Sequence, residues 1–208
     1  SYERQTENDL VVIVTTADDQ SDANPLSAAN LEISLREAIA IANATPGEFE
    51  VRFASSVTSP LKVQQGEIEI KDDVVFAGNG SEQTIIDAEN RSRIFSILDP
   101  DIQLTLNAVS VTGGNAPVGG AIFANNAHIS LRDSTTSGNA ATDRGGAIFI
   151  DKGSLTLINS EITANHSANS AGGVAGNDVA VTLMQSTVAA NTSSLGGGFH
   201  VTSDADIV

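Results

Sequence analysis

The chain has no cysteine among its 208 residues, which excludes both a disulfide framework and a thiolate metal site. Tryptophan is absent as well, and aromatic residues make up only 4% of the chain. No apolar stretch approaches the ~20 residues that a membrane-spanning helix needs. The N-terminus also lacks the basic and then apolar pattern of a secretory signal peptide. These absences favour a fold with a narrow core of aliphatic and small side chains.

Basic residues are scarce too, because 10 Lys and Arg stand against 26 Asp and Glu and give a formal net charge of -16. A surface this negative repels phosphate backbones and anionic lipids. We therefore expect no nucleic-acid partner and no direct insertion of this chain into a membrane. Divalent cations and neutral ligands suit such a surface better.

The most informative pattern is a repeat of about 26 residues between Leu104 and Val208. Apolar triplets start at intervals of 25, 26 and 26 residues, in step with an asparagine and a pair of glycines. Short alternating strands and turn residues, without helical periodicity, predict a parallel β-helix with three strands per coil. The triplets begin at Leu104, Ile129, Leu155 and Val181, the asparagines are Asn115, Asn139, Asn165 and Asn191, and the glycine pairs begin at Gly119, Gly145, Gly172 and Gly197.

Only one helix is expected, over residues 34–43. Ser34 and Glu37 have the spacing of a capping box, and Leu35 and Ile39 begin an apolar stripe. We predict that this helix belongs to an N-terminal cap at residues 10–60, which covers the exposed strand edges of the first coil. Residues 61–208 then form the β-helix, and residues 1–9 are a disordered terminus or an expression remnant. Because the chain opens without Met and stops as a new strand starts, we expect a truncated β-helix and further domains in a parent protein.

Residues at equivalent positions of successive coils stack, so each recurring residue predicts a column. The four asparagines are expected in one turn, each bonding to the backbone or to the asparagine one coil away. The glycine pairs are expected to allow a positive φ or a close backbone approach. A second polar column is predicted from Ser134, Ser160 and Ser186, and an acidic or amide column from Asn125, Asp151 and Asp178, with Asp204 near it.

The string ISLREAIAIAN at residues 33–43, preceded by VTTADD and followed by a Phe-x-Val-x-Phe strand, resembles the CSLREA domain of large bacterial secreted and surface proteins. Ile33 stands where that family has its leading cysteine. The downstream GGAI units are similar to right-handed parallel β-helix repeats, including those of chlamydial polymorphic outer-membrane proteins. The resemblance implies a right-handed β-helix in an extracellular or surface-displayed bacterial protein of adhesin type, and it implies no particular ligand.

We therefore expect a non-catalytic module that serves as a stalk or as a binding surface for an extracellular glycan or a host-cell ligand. A fragment of a polysaccharide lyase or hydrolase stays an alternative, because parallel β-helices also house such enzymes. An inverting hydrolase needs two carboxylates about 6.5–9.5 Å apart. Arg132 and Arg144 show no matched acidic cluster, and no catalytic residue is assigned. His128, His166 and His200 fall at different phases of the repeat, which disfavours a shared site.

One acidic cluster stands out before the helix, where Asp18, Asp19 and Asp22 crowd the loop ADDQSDANP. Oxygen ligands on a flexible loop suit Ca²⁺, although the spacing departs from that of an EF-hand loop and lacks its final bidentate Glu. The three aspartates are candidate calcium ligands, and a solvated loop is the alternative. A calcium-dependent carbohydrate-binding module is accordingly a third functional hypothesis.

Overall fold

A computed structural model describes residues 10–21 and 32–202. The predicted disordered terminus, Asp22 and Asp204 lie outside these residues. The described residues form one α-helix and nineteen β-strands. In chain order these are β1 (Leu10–Val14), α1 (Leu35–Ala44), β2 (Phe49–Phe53), β3 (Leu61–Lys62), β4 (Ile68–Ile70), β5 (Val74–Ala77), β6 (Ile85–Asp87), β7 (Phe95–Ile97), β8 (Gln103–Asn107), β9 (Ser110–Thr112), β10 (Asn115–Val118), β11 (Ile122–Arg132), β12 (Thr135–Ser137), β13 (Ala140–Arg144), β14 (Ile148–Ile158), β15 (Glu161–Thr163), β16 (His166–Ser167), β17 (Val174–Met184), β18 (Thr187–Ala189) and β19 (Phe199–Thr202).

The strands stack into three parallel sheets of ten, six and three strands. Partners lie one coil apart, so that Leu155 pairs with Ile129 on one side and with Val181 on the other. The chain winds through about six turns as a right-handed parallel β-helix, which confirms the predicted fold class. The largest sheet contains β1, β2, β4, β5, β7, β8, β11, β14, β17 and β19, the second runs β18-β15-β12-β9-β6-β3, and the third runs β10-β13-β16.

The largest sheet covers two sides of the coil because its longest strands bend in the middle. Asn126, Lys152 and Asp178 have φ of 50°, 66° and 51°. The pairing passes over them, because Asn125 pairs with Asp151 and Ala127 with Gly153. Such an unpaired residue bends a strand without ending the ladder. In the earlier coils the corresponding side is divided into separate strands, β4 and β5 in one coil and β7 and β8 in the next.

Stacked aliphatic side chains fill the interior of the coils. Burying one of them stabilises the fold by about 1.5–3 kcal/mol. In the first coils Phe76 packs between Phe53 and Phe95, with ring centroids 6.4 and 5.4 Å apart. A core one side chain wide needs few aromatic residues, as the composition indicated. Two of the aliphatic columns are Leu104, Ile129, Leu155 and Val181, and Leu106, Leu131 and Leu157, all at most 1% exposed.

The predicted helix is confirmed as α1, which extends one residue further than expected, to Ala44. Both halves of the capping box are present: Ser34 Oγ accepts from the backbone N–H of Glu37, and Glu37 accepts from the backbone N–H of Ser34. Leu35 and Ile39 are 3% and 1% exposed and belong to the core of the first coils. The helix packs on β1, β2 and β4, so the apolar stripe predicted from the sequence lies against the start of the β-helix.

The predicted asparagine column is confirmed for three of its four members. Asn165 Oδ1 accepts from the backbone N–H of Asn139 at 3.0 Å, and Asn191 Oδ1 accepts from that of Asn165 at 2.9 Å. The prediction was wrong for Asn115, because the N–H that donates to Asn139 Oδ1 belongs to Gly114. Asn115 instead pairs with Ala140 and is exposed. Gly114 and Asn139 are 25 residues apart, whereas the next two members of the column follow at intervals of 26. The asparagine nearest to the expected position, Asn115, is therefore one residue past the column.

The serine column is present as predicted. Ser160 Oγ accepts from the backbone N–H of Ser134, and Ser186 Oγ accepts from that of Ser160, both at 3.1 Å. Each column satisfies buried backbone groups at a turn, where the ladder of a sheet is interrupted. The polar columns therefore stabilise the corners of the coil.

The glycine pairs do not all occupy the same two positions. Gly119 and Gly145 have φ of 58° and 64°, but Ala171 takes the corresponding place in the third repeat, with φ of 50°. The column that requires glycine is the next one. A Cβ on Gly146 would lie 2.3 Å from the carbonyl oxygen of Gly172, closer than packed atoms approach. Glycine therefore recurs at this position of the repeat because the backbones of successive coils approach too closely there for a side chain.

Candidate functional site

The predicted acidic or amide column differs from the observed one by one residue. Asn125, Asp151 and Asn177 pair across neighbouring strands, and Thr202 follows them. Asp178 was wrongly placed in this column, because it is the bend residue after Asn177. The bend is set by pairing with the neighbouring coil, and local sequence does not show it.

Three aspartates of one coil each bond to an asparagine 26 residues further on, at the equivalent position of the next coil. Asn177 Nδ2 donates to Asp151 Oδ1 at 2.9 Å, and Asn169 Nδ2 donates to Asp143 Oδ1 at 3.0 Å. Asn159 Nδ2 donates to Asp133 Oδ1 in the same way. Two stacked carboxylates would repel each other, whereas an amide above a carboxylate supplies a donor. The alternation of Asp and Asn lets an acidic chain stack its coils.

The candidate calcium ligands are not equivalent in the structure. Asp18 is exposed, Asp22 lies outside the described residues, and the side chain of Asp19 is only 1% exposed. Arg36 of α1 donates to both oxygens of Asp19, at 2.7 and 3.0 Å. The backbone N–H groups of Gln64 and Gln65 donate to Oδ2 at 2.6 Å. This carboxylate therefore ties the loop, the helix and the first coil together.

Burial alone would raise the pKa of Asp19. The hydrogen bonds from Arg36, Gln65 and Gln64 outweigh burial, so the pKa of this carboxyl lies below its ordinary value. Within residues 10–21 and 32–202, no three or more His, Cys, Asp or Glu side chains are grouped as a metal site would require. The calcium site stays a prediction, and an ion at Asp19 would have to compete with the Arg36 guanidinium.

The three histidines lie in different columns, as their spacing indicated. His128 Nδ1 lies 2.9 Å from Ser154 Oγ, and His166 Nδ1 lies 3.0 Å from Thr192 Oγ1. His200 pairs in register with Ala175 on another side of the coil. No acid–base pair of histidines results from this arrangement within the described coils.

A polar groove that the sequence did not single out lies on the outer face of β8, β11 and β14. It has a volume of about 280 Å³. Its side chains come from alternate positions of three stacked strands, because every second residue of a strand points away from the core. We call this surface the hydroxyl face, and it consists of Gln103, Thr105, His128, Ser130, Arg132, Ser154 and Thr156.

Ser130 lies at the centre of the hydroxyl face, in register between Thr105 and Thr156. Among the described residues its Oγ is one of four buried side-chain hydroxyls without a hydrogen-bond partner, the others being those of Ser96, Thr136 and Ser170. Buried hydroxyls in native proteins nearly always have a partner, since leaving one unpaired costs about 1–3 kcal/mol. Because this Oγ is closed to solvent, a ligand in the groove would reach it only after neighbouring side chains move aside, and the hydroxyls of the partly exposed Thr105 and Thr156 are the ones that a ligand meets first.

A second depression, of about 370 Å³, lies at the corner between β11 and β12. Asp133 and Glu161 both line it, and Asn159 and Gly80 lie beside them. We call it the acidic corner. Its charge contrasts with that of the hydroxyl face, where Arg132 is the only formally charged side chain.

No protein-family model matches this chain, and searches of curated proteins and of solved structures returned no significant match. The resemblance to the CSLREA domain consequently stays a prediction that rests on residues 33–43 and their flanking strands. Among the described residues, no helix is long and apolar enough to cross a membrane.

Proposed function

We propose that the chain is a non-catalytic module of a larger bacterial surface or secreted protein of adhesin type, and that its hydroxyl face binds an extracellular glycan. The observation that carries this proposal is the groove around Ser130, which polar side chains from three stacked strands line. The coils serve as the rigid support that holds the groove open.

Neutral sugars fit the chemistry of this face. Thr105, Thr156 and Ser154 present hydroxyls that both donate and accept, and Gln103 adds an amide that can do the same. Sugar hydroxyls have the same dual capacity, so the two surfaces can exchange hydrogen bonds without burying a net charge. The groove volume of about 280 Å³ lies just below the ~300–1,000 Å³ of small-ligand pockets, which suits a single sugar or a short glycan end.

A non-catalytic role accords with the use of the aspartates in the coils. Asp133, Asp143 and Asp151 each accept an asparagine amide from the neighbouring coil, and Asp19 accepts from Arg36. Their carboxylates are engaged in holding coils and cap together. The chemistry available on the hydroxyl face is recognition through neutral groups and one guanidinium.

The experiment is a glycan-array screen followed by titration of the best ligand, with the wild type and a Thr105→Val, Thr156→Val double variant. Valine keeps the shape and β-propensity of threonine but removes the hydroxyl. We expect the double variant to bind about tenfold more weakly, since each neutral hydrogen bond contributes about 0.5–1.5 kcal/mol. Thr163→Val on β15 is the matched control and should bind normally. A double variant that binds as tightly as the wild type would place the site elsewhere.

The acidic corner supports the second candidate function, a carbohydrate-active hydrolase. Two acidic residues line one depression, Glu161 and Asp133, of which Asp133 also accepts a hydrogen bond from Asn159. Glycoside hydrolysis uses a pair of carboxylates. We would test it by incubating the protein with polysaccharides of varied composition and measuring new reducing ends. Release that Glu161→Gln abolishes would replace the binding-module proposal, whereas no release from any substrate would leave the corner as a polar turn.

A further inference from the structure

Arg132 differs from the other arginines that the structure describes. Arg36, Arg52, Arg91, Arg93 and Arg144 each form an ion pair with a carboxylate, whereas Arg132 forms none with any carboxylate in residues 10–21 and 32–202. This is unexpected in a chain with 26 acidic and only 10 basic residues. Its guanidinium is exposed at the end of β11, in the hydroxyl face.

We infer that the hydroxyl face selects a sugar that carries one carboxylate, such as a uronic acid, with Arg132 binding the carboxylate and the hydroxyls of Thr105 and Thr156 bonding to the ring. This inference rests on the glycan-binding function proposed above and specifies its ligand. A planar guanidinium matches a carboxylate with two parallel N–H···O bonds. Thr105 and Thr156 flank Ser130, which is two residues from Arg132 on the same face of β11 and hence about 7 Å along the strand. A single sugar ring spans such a distance.

The charge of the whole chain limits the ligand further. At physiological salt a charge is screened over ~8 Å. The electrostatic energy of a single carboxylate bound to Arg132 therefore depends mainly on the guanidinium and little on the distant acidic residues. A polymer with a carboxylate on every residue would extend beyond the groove and meet the field of a chain with net charge -16. We therefore expect isolated or terminal acidic sugars to bind better than polyuronides, per carboxylate.

The test is titration of ¹⁵N-labelled protein with methyl glucuronide, methyl glucoside and polygalacturonate, followed by NMR. The wild type should bind the glucuronide about tenfold more tightly than the glucoside, and the Arg132 Nε–Hε signal should shift, because hydrogen bonds between charged groups are the stronger ones. Arg132→Gln should remove this preference. Arg91→Gln is the matched control, since it makes the same change in net charge at another exposed arginine, and it should keep the preference.

The outcomes separate this inference from the proposed function. Equal affinity for glucuronide and glucoside, with shifts confined to the hydroxyl face, would overturn the acidic preference and leave glycan binding intact. Binding of neither sugar at tens of millimolar would overturn the inference, and a glycan array without any ligand would overturn the proposed function as well. An equal loss of both sugars in Arg132→Gln, or an unmoved Arg132 signal in the saturated wild type, would show that Arg132 does not bind the carboxylate. Tighter binding of polygalacturonate per carboxylate would refute the restriction to isolated acids.

Discussion

The asparagine column provides the sharpest test of how the coils are held together, and Asn165 is its best-connected member. Its Nδ2 donates to the carbonyl oxygens of Thr136 and Thr163 at 2.9 and 3.0 Å, while its Oδ1 accepts from the backbone N–H of Asn139. Asn165 is only 1% exposed. Asn165→Asp keeps the acceptor, removes both donors and places a negative charge against two carbonyl oxygens.

Each carbonyl left without its donor costs about 1–3 kcal/mol, and burying the charge adds to that cost. We therefore expect Asn165→Asp to lower the free energy of unfolding by about 4 kcal/mol at pH 7. Burial and the carbonyls raise the pKa of the introduced carboxyl above its unfolded value, so the folded form takes up a proton as pH falls. The protonated carboxyl donates one hydrogen bond again, and the loss of stability relative to wild type should shrink towards pH 4.

The assay is urea unfolding followed by far-ultraviolet circular dichroism at several pH values between 7 and 4. Asn115→Asp is the control, because Asn115 is exposed and lies outside the column, and it should change stability by less than about 0.5 kcal/mol. Equal effects of the two variants would refute the assigned role of the column. A loss for Asn165→Asp that does not vary with pH would refute the charge argument.

Three further variants test other contacts of the coils and the cap, and a fourth measurement tests calcium. Asp19→Asn should lower the free energy of unfolding by about 3 kcal/mol at pH 7, because it leaves Arg36 unpaired. The folded pKa of Asp19 is depressed, so the stabilisation from its carboxylate in the wild type is present above the ordinary pKa of 3.8 and is lost as pH falls through the folded pKa. Asn177→Asp should cost about 1–2 kcal/mol through repulsion with Asp151, less at high salt, and the swapped pair Asp151→Asn, Asn177→Asp should recover stability in urea unfolding. Gly146→Ala should cost about 3 kcal/mol or prevent folding, because its Cβ would meet backbone on two sides, whereas Gly198→Ala, with only a side chain at 3.6 Å, should melt close to wild type. Calcium bound only by the folded form should raise the melting midpoint above that in Mg²⁺ or chelator, and equal midpoints would refute the predicted site.

The hydroxyl face shows why a binding surface is harder to predict than the fold that carries it. Alternation along β11 indicates that His128, Ser130 and Arg132 point outwards, because Ile129 and Leu131 are apolar. The alternation does not show that Thr105 and Thr156 lie on either side of Ser130. That contact depends on the pairing of three coils, each contributing residues about 25 positions away. The missing partner of Ser130 and the missing ion pair of Arg132 follow only from those neighbours.

The errors in the predicted columns have the same origin. Asn115 and Asp178 were each assigned to a column whose actual member is the preceding residue, Gly114 or Asn177. In the same way, Gly172 was given the position of Ala171. A coil can lose one residue at a corner and still close, because turn residues and bends absorb the difference. Identity between repeats therefore locates a residue to within one position, and pairing with the next coil locates it fully.

The sequence by itself determined the parallel β-helix, the capped helix and the serine column. A repeat length equal to one turn of the coil records the stacking directly, and a capping box is a local interaction within four residues. Tertiary structure alone decided the bends in the long strands, the alternation of Asp and Asn between coils and the burial of Asp19 under Arg36. These features depend on which residues of different coils stand opposite each other, and stacking strands about 4.8 Å apart brings together groups that local sequence keeps separate.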